Sequence, residues 1–184
     1  MNPIQLRKIL VQIHLYCAAF LTPAFLLVAV TGGLYLLGVK GSTTTSPLAL
    51  PAGAVLNSDS PTLEQDVADL LKAAGSDHKF DYVKNRGNVL QTRPTSREYV
   101  QFNISEDGVT ANSVKPDLQY SLMELHKGHG PTLFRSYQIL AAIALFIVVV
   151  GGFFVGLLAP AYRKTTIIAT GLGAVSFALL AFML

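Results

Sequence analysis

Residues Ile9–Val39 read ILVQIHLYCAAFLTPAFLLVAVTGGLYLLGV, with no Lys, Arg, Asp or Glu between Lys8 and Lys40. As one helix, about 30 residues would run roughly 45 Å, while a bilayer core asks for ~20 residues and ~30 Å. The stretch reads as a membrane span that tilts or protrudes. Thr22-Pro23 is placed to kink it, and Thr31-Gly32-Gly33 to loosen its far end. Inside it sits His14, and an ionisable group within a span is a functional-site candidate by default. Cys17 and Ala18 follow at three and four positions, so the helix face beside the imidazole is small-sided. Such a face suits a flat, bulky ligand, and equally the close packing of a neighbouring helix.

Two further apolar runs, Leu133–Leu158 and Thr165–Leu184, are long enough to cross a bilayer, and they are separated by a tight basic turn over 159–164. Apolar residues make up 51% of the 184-residue chain and charged ones 14%, a balance that already points to a membrane protein with room for one soluble domain. All eleven acidic residues lie between Asp59 and Glu124, and ten of the fourteen basic ones between Lys40 and Arg135. The other four, Arg7, Lys8, Arg163 and Lys164, flank the spans. The pI near 9.0 thus reflects membrane-flanking charge rather than a nucleic-acid patch, and nucleic-acid binding is set aside. By the positive-inside rule both basic pairs belong in the cytoplasm, which sends residues 40–132 outward, into the periplasm of a double-membrane bacterium. A cleaved signal peptide fits poorly, because the first apolar run is about twice a signal h-region of 7–15 residues and no A-x-A site ends it. Cys17 is the only cysteine, so neither a disulfide framework nor a thiolate metal cluster is available within one chain.

Within 40–132, the Gly, Ser, Thr and Pro content up to Pro61 reads as linker. A helix follows over Pro61–Ala74: Ser60 suits the N-cap, Glu64 and Asp66 the first turns, and Leu63, Val67, Leu70 and Leu71 form an apolar stripe ended by Gly75. Lys79–Lys84, Val89–Arg93, Tyr99–Ile104 and Val109–Val114 are β-prone, with turns at Asn85–Asn88 and Glu106–Gly108. Leu118–Leu125 makes a short amphipathic helix. The expected fold class is membrane α-helical: three transmembrane helices, with a small periplasmic α+β domain between the first and second. That domain is one helix against a three- or four-stranded antiparallel sheet. In chain order this gives residues 1–8 as cytoplasmic N-terminus, 9–39 as the first span, 40–132 as the periplasmic linker and domain, 133–158 as the second span, 159–164 as the cytoplasmic turn and 165–184 as the third span.

The chemistry available is that of histidine. His14 lies near the cytoplasmic boundary, whereas His126 and His129 precede the second span at the opposite boundary, on the order of 20–30 Å away, so the two levels cannot serve one metal within a subunit. For His14 two readings stand: an interfacial imidazole hydrogen-bonded to headgroups or a helix carbonyl, or an axial ligand of haem iron. One histidine supplies one axial position, and a parallel two-fold dimer would supply the second. The stretch Leu125-His126-Lys127-Gly128-His129-Gly130-Pro131 is a polar juxtamembrane turn, or a pair of imidazoles at i, i+3 that face one way and hold a haem or capture iron. Lys127 and Arg135 add cations beside this stretch. His78 reads as solvent-facing, and Tyr16, Tyr35, Tyr120 and Tyr137 as an interfacial belt among membrane lipids. No Ser/His/Asp set, phosphate loop or acidic residue within the spans is present, which removes hydrolase chemistry and counts against a proton-coupled transporter.

At these residues the chain resembles the PepSY-associated transmembrane family. The run from Leu10 through His14 to Thr31-Gly32-Gly33 is similar to that family's opening helix, where a His near the inner end precedes a Thr-Gly pair by about seventeen residues. Leu125-His126-Lys127-Gly128 is similar to its second Leu-His signature, and Pro61–Val114 to a degenerate PepSY module. The resemblance implies an inner-membrane haem b protein, a homodimer, that reduces Fe(III) or a ferric chelate in support of ferrous iron uptake. His14 and His126 would be the ligands, with His129 as a further outer one, and a quinol or a flavoprotein the electron donor. Larger members have more spans and more histidines than this chain. The alternative expectation is a non-enzymatic PepSY-type accessory or sensory membrane protein that binds a peptide or a partner protein.

Overall fold

A computed structural model describes residues 3–183. Three helices are long and apolar enough to cross a membrane: α1 (Pro3–Leu36), α4 (Thr132–Leu158) and α5 (Arg163–Phe182). Helix α1 continues through Pro23, and the Thr22 hydroxyl donates to the Ala18 carbonyl (2.9 Å) in the turn where proline cannot donate. Leu184, placed in the third span by its apolar character, lies outside the described residues.

The chain divides into two compact units, residues 1–24 with 139–184 and residues 25–138. In the first, α4 and α5 are joined by a short turn in which Arg163 Nε donates to the Leu157 carbonyl (2.8 Å), satisfying one of the carbonyls that a helix C-terminus leaves open. The surface of α5 is exposed along its length in the isolated chain.

The second unit is built on a five-stranded antiparallel sheet of order β1-β5-β4-β3-β2, with β1 Thr43–Leu48, β2 Tyr82–Asn85, β3 Val89–Arg93, β4 Tyr99–Ser105 and β5 Gly108–Pro116. The fifth strand corrects the expected three or four. It comes from the stretch read as linker, where Thr43–Leu48 pairs with Pro116–Ala111 and so becomes an edge strand. Its Thr-rich sequence carries little apolar alternation, so the pairing is supplied by β5 rather than by a hydrophobic face of its own. Helix α2 (Leu63–Ala73) buries Val67 and Leu71 against Leu90, Val100, Phe102 and Ala111, which alternate onto one sheet face. Burying each such side chain contributes roughly 1.5–3 kcal/mol.

Two carboxylates fasten the ends of this unit. Asp117 caps α3 (Leu118–His126) by accepting the Tyr120 N–H (2.7 Å) while its other oxygen accepts the Ser42 N–H and hydroxyl (both 2.8 Å). Gly41, at φ +79°, permits this approach, for a Cβ there would run into the backbone nitrogen of Tyr120. Asp81 likewise accepts the N–H and hydroxyl of Thr132 (2.8 and 2.9 Å), capping the first turn of α4. These bonds hold the Asp81 carboxyl below the usual carboxylate range, the Thr132 N–H contributing most.

Candidate functional site

His14 lies on α1 in the first unit, half-buried, and its Nδ1 is 3.1 Å from the Val148 carbonyl of α4. A carbonyl only accepts, so Nδ1 carries the proton and Nε2 the lone pair. The residue one turn further along α4 is Gly152, where a Cβ would stand 3.2 Å from Cε1 of the ring. The glycine is what lets the imidazole lie this close to α4. A helix-carbonyl bond is also what a purely interfacial histidine would make, so the two readings of His14 differ only at Nε2, which makes no hydrogen bond among the described residues.

His126 is the last residue of α3, in the second unit, and its Nδ1 is 2.7 Å from the Thr31 hydroxyl. Thr31 is 1% exposed, and its hydroxyl is 2.5 Å from the Leu27 carbonyl one turn back on α1. The single hydroxyl proton goes to that carbonyl, so the oxygen accepts from His126 Nδ1–H and again leaves the lone pair on Nε2. Gly32 sits beside the ring, with the position of an added Cβ 3.5 Å from Cε1. The Thr-Gly pair, which in sequence reads as a loosened helix end, is the seat of His126. Gln138 of α4 completes the surroundings by donating to the Leu125 carbonyl (2.5 Å), and its own Oε1 is buried without a partner among the described residues.

His129 points to other company. Its Nδ1 is 2.7 Å from Glu124 Oε2, so His126 and His129, expected to face one way, take different partners. Glu124 is 4% exposed and forms a hub: its carboxylate also accepts from the Thr95 hydroxyl (2.5 Å) and from Lys127 Nζ (3.0 Å). Arg93, 3% exposed, donates to Thr95 (2.6 Å) and lies 3.6 Å from Glu124. Burial alone would push the Glu124 carboxyl up, but the bonds from Thr95, His129 and Lys127 outweigh it and hold the group below the usual carboxylate range. Nothing in the spacing of Thr95 marks it as a partner of Glu124. The spacing of Glu124 to Lys127 at i, i+3 was the one local signal for the hub.

His78 is not solvent-facing. It is half-buried, its Nε2 is 2.9 Å from the Thr92 hydroxyl, and its ring stacks near Phe80. Burial, the largest influence, holds its pKa below the ordinary imidazole value, with Glu98 opposing and Arg97 assisting.

The donor chemistry at His14 and His126 fits haem iron. A metal-ligating imidazole ordinarily donates its other ring N–H to a carbonyl or similar acceptor, which fixes ring and tautomer, and both rings here are held so. Among the described residues no three His, Cys, Asp or Glu side chains gather as a metal cage. Compared with known protein families, with curated proteins and with solved structures, the chain matches none.

Proposed function

We propose that the protein is a b-type cytochrome of the bacterial inner membrane, a homodimer that passes electrons outward to periplasmic Fe(III) and so supports ferrous iron uptake. What carries the reading is the matched pair of imidazoles, each on or beside an apolar helix, each with Nδ1 occupied and Nε2 unpaired among the described residues. His14 would hold haem toward the inner leaflet, shared between two subunits. His126 would hold a second haem or the iron being reduced, with His129 assisting. When bound, haem supplies a one-electron couple. The chain's own contribution is orientation: the Val148 carbonyl and the Thr31 hydroxyl fix the two rings, and Gly152 and Gly32 keep the space beside them clear. Lys127 and Arg135 draw an anionic ferric chelate to the outer side. Each Fe(III) takes one electron, so a two-electron donor such as a quinol or a flavoprotein reduces two.

The test is an optical spectrum of the detergent-purified protein, oxidised and then dithionite-reduced. Sharp α and β bands on reduction are expected. A protein that stays colourless when expressed with haem supplied refutes the reading. The rival, a non-enzymatic module that binds a peptide or partner, has one observation behind it: β1 is an exposed edge strand, open to pairing with a further strand.

A further inference from the structure

On the second unit, a cavity of about 350 Å³ opens between the β2–β3 hairpin and the α3–α4 turn. Six of its lining side chains are basic: Lys84, Arg86, Arg93, Lys127, His129 and Arg135. They come from four separate segments, so no single charged helix face accounts for their meeting. Glu124 is the one carboxylate that pairs with any of them among the described residues, and it is shared by Arg93, Lys127 and His129. Lys84, Arg86 and Arg135 have no ion-pair partner among the described residues. Five permanent cations therefore surround one cavity against one carboxylate.

Arg93 supplies the independent sign of a ligand. It is 3% exposed, it lines the cavity, and its Nε is buried with no hydrogen-bond partner among the described residues. A buried donor left unsatisfied is costly, and an oxyanion or an ordered water that reaches it would remove that cost. Guanidinium groups, of which the cavity has three, suit planar or tetrahedral oxyanions that accept two bonds at once. The volume lies at the lower end of small-ligand pockets and exceeds what a lone phosphate fills.

We propose that this cavity binds a small soluble polycarboxylate, and, resting on the ferric-reductase reading for this step alone, that it seats the carboxylate shell of the ferric chelate. An anionic lipid headgroup offers related chemistry, and the experiment separates the two.

The probe is Ga(III)–citrate, whose metal cannot be reduced, titrated calorimetrically into the full-length protein in detergent, with citrate, inorganic phosphate and phosphatidylglycerol nanodiscs as further arms. Ga(III)–citrate and citrate are expected to bind, and phosphate about tenfold or more weaker because it reaches fewer cations. Lys84→Ala/Arg86→Ala removes two exposed cations without touching the core and should weaken citrate about tenfold or more. Arg93→Lys keeps the charge but loses the Nε donor and should weaken it as well. The proposal is overturned if citrate does not bind, if Lys84→Ala/Arg86→Ala binds it unchanged, if phosphate binds equally well, or if phosphatidylglycerol displaces citrate while citrate fails to displace the lipid. Ga(III)–citrate binding in a protein that cannot reduce iron would keep the site and discard the reductase reading. Iron reduction without citrate binding would do the reverse.

Discussion

His14 and His126 carry the same hydrogen-bond device made of different materials. At His14 the acceptor is main chain, the Val148 carbonyl, and no substitution of Val148 can remove it. At His126 the acceptor is a side chain, Thr31, which in turn depends on the Leu27 carbonyl. The surroundings differ in the same sense. No acidic residue lies in the first unit, whereas His126 stands two residues from the buried Glu124 hub. A ring held by the backbone tolerates sequence change around it and is disturbed chiefly by bulk. A ring held through a hydroxyl beside a charged network can be adjusted, and can be broken, by single polar substitutions.

The sharpest way to expose that difference is Glu124→Ala. Removing the carboxylate leaves Arg93 buried without its partner, and the second unit should lose about 3–5 kcal/mol of stability in chemical denaturation. Sensitivity of this size is not expected of any single polar change around His14. Next comes His14→Ala, which should lose most of the haem with little change in the folding of the sheet, read by pyridine haemochrome and circular dichroism. Retention of both haem and ferric reduction would remove His14 from the site. Thr31→Val is close to isosteric and leaves His126 Nδ1–H without an acceptor. It should cost about 1–2 kcal/mol and, on the cytochrome proposal, shift only the redox or spectral signature that depends on His126, with Thr31→Ser restoring both. Gly152→Ala against Gly32→Ala tests bulk alone. The added Cβ comes to 3.2 Å from the His14 ring and 3.5 Å from the His126 ring, so the first should perturb the spectrum more.

The smallest effect is that of His78, which makes no contact with the holders of either ring. An imidazole whose folded pKa lies below its unfolded value of 6.5 binds fewer protons folded than unfolded. Its contribution to stability is complete above 6.5 and is lost as the pH falls below it. Melting of the protein between about pH 7.5 and about pH 5.5 should show the decline, and His78→Gln, which keeps an acceptor for the Thr92 hydroxyl, should flatten it. An unchanged slope would show that His78 is not the responsible group.

Much of this architecture can be read from residue order alone, and the reason is physical. Three long apolar runs, two of them free of charge and the second carrying only Arg135 near its start, leave a backbone few options besides helices in lipid, and Val89–Arg93 matches β3 end to end because its alternation is local. Thr43–Leu48 fails that test: its partner strand lies more than sixty residues away, and only pairing turns Thr-Thr-Thr-Ser-Pro into a strand. The histidines attract notice as ionisable groups in or beside spans, yet their holders do not. Thr31 meets His126 across 95 positions and Thr95 meets Glu124 across 29, and such pairs leave no spacing to read. The meeting of six basic side chains is of the same kind, since their charges are scattered through a segment that is nearly neutral overall.

The two carboxylate clasps, Asp117 on Ser42 and Asp81 on Thr132, bear on where this protein can be cut or extended. A reporter peptide placed at Gly41-Ser42 or Pro131-Thr132 would pull apart a capped helix start, and with it the seat of His126 or the rim of the cationic cavity. The β4–β5 turn at Glu106-Asp107 is exposed, carries no clasp and lines neither the seat of His126 nor the cationic cavity. A tag grafted there, probed from either side of the membrane, would report the orientation of the chain while leaving its chemistry undisturbed.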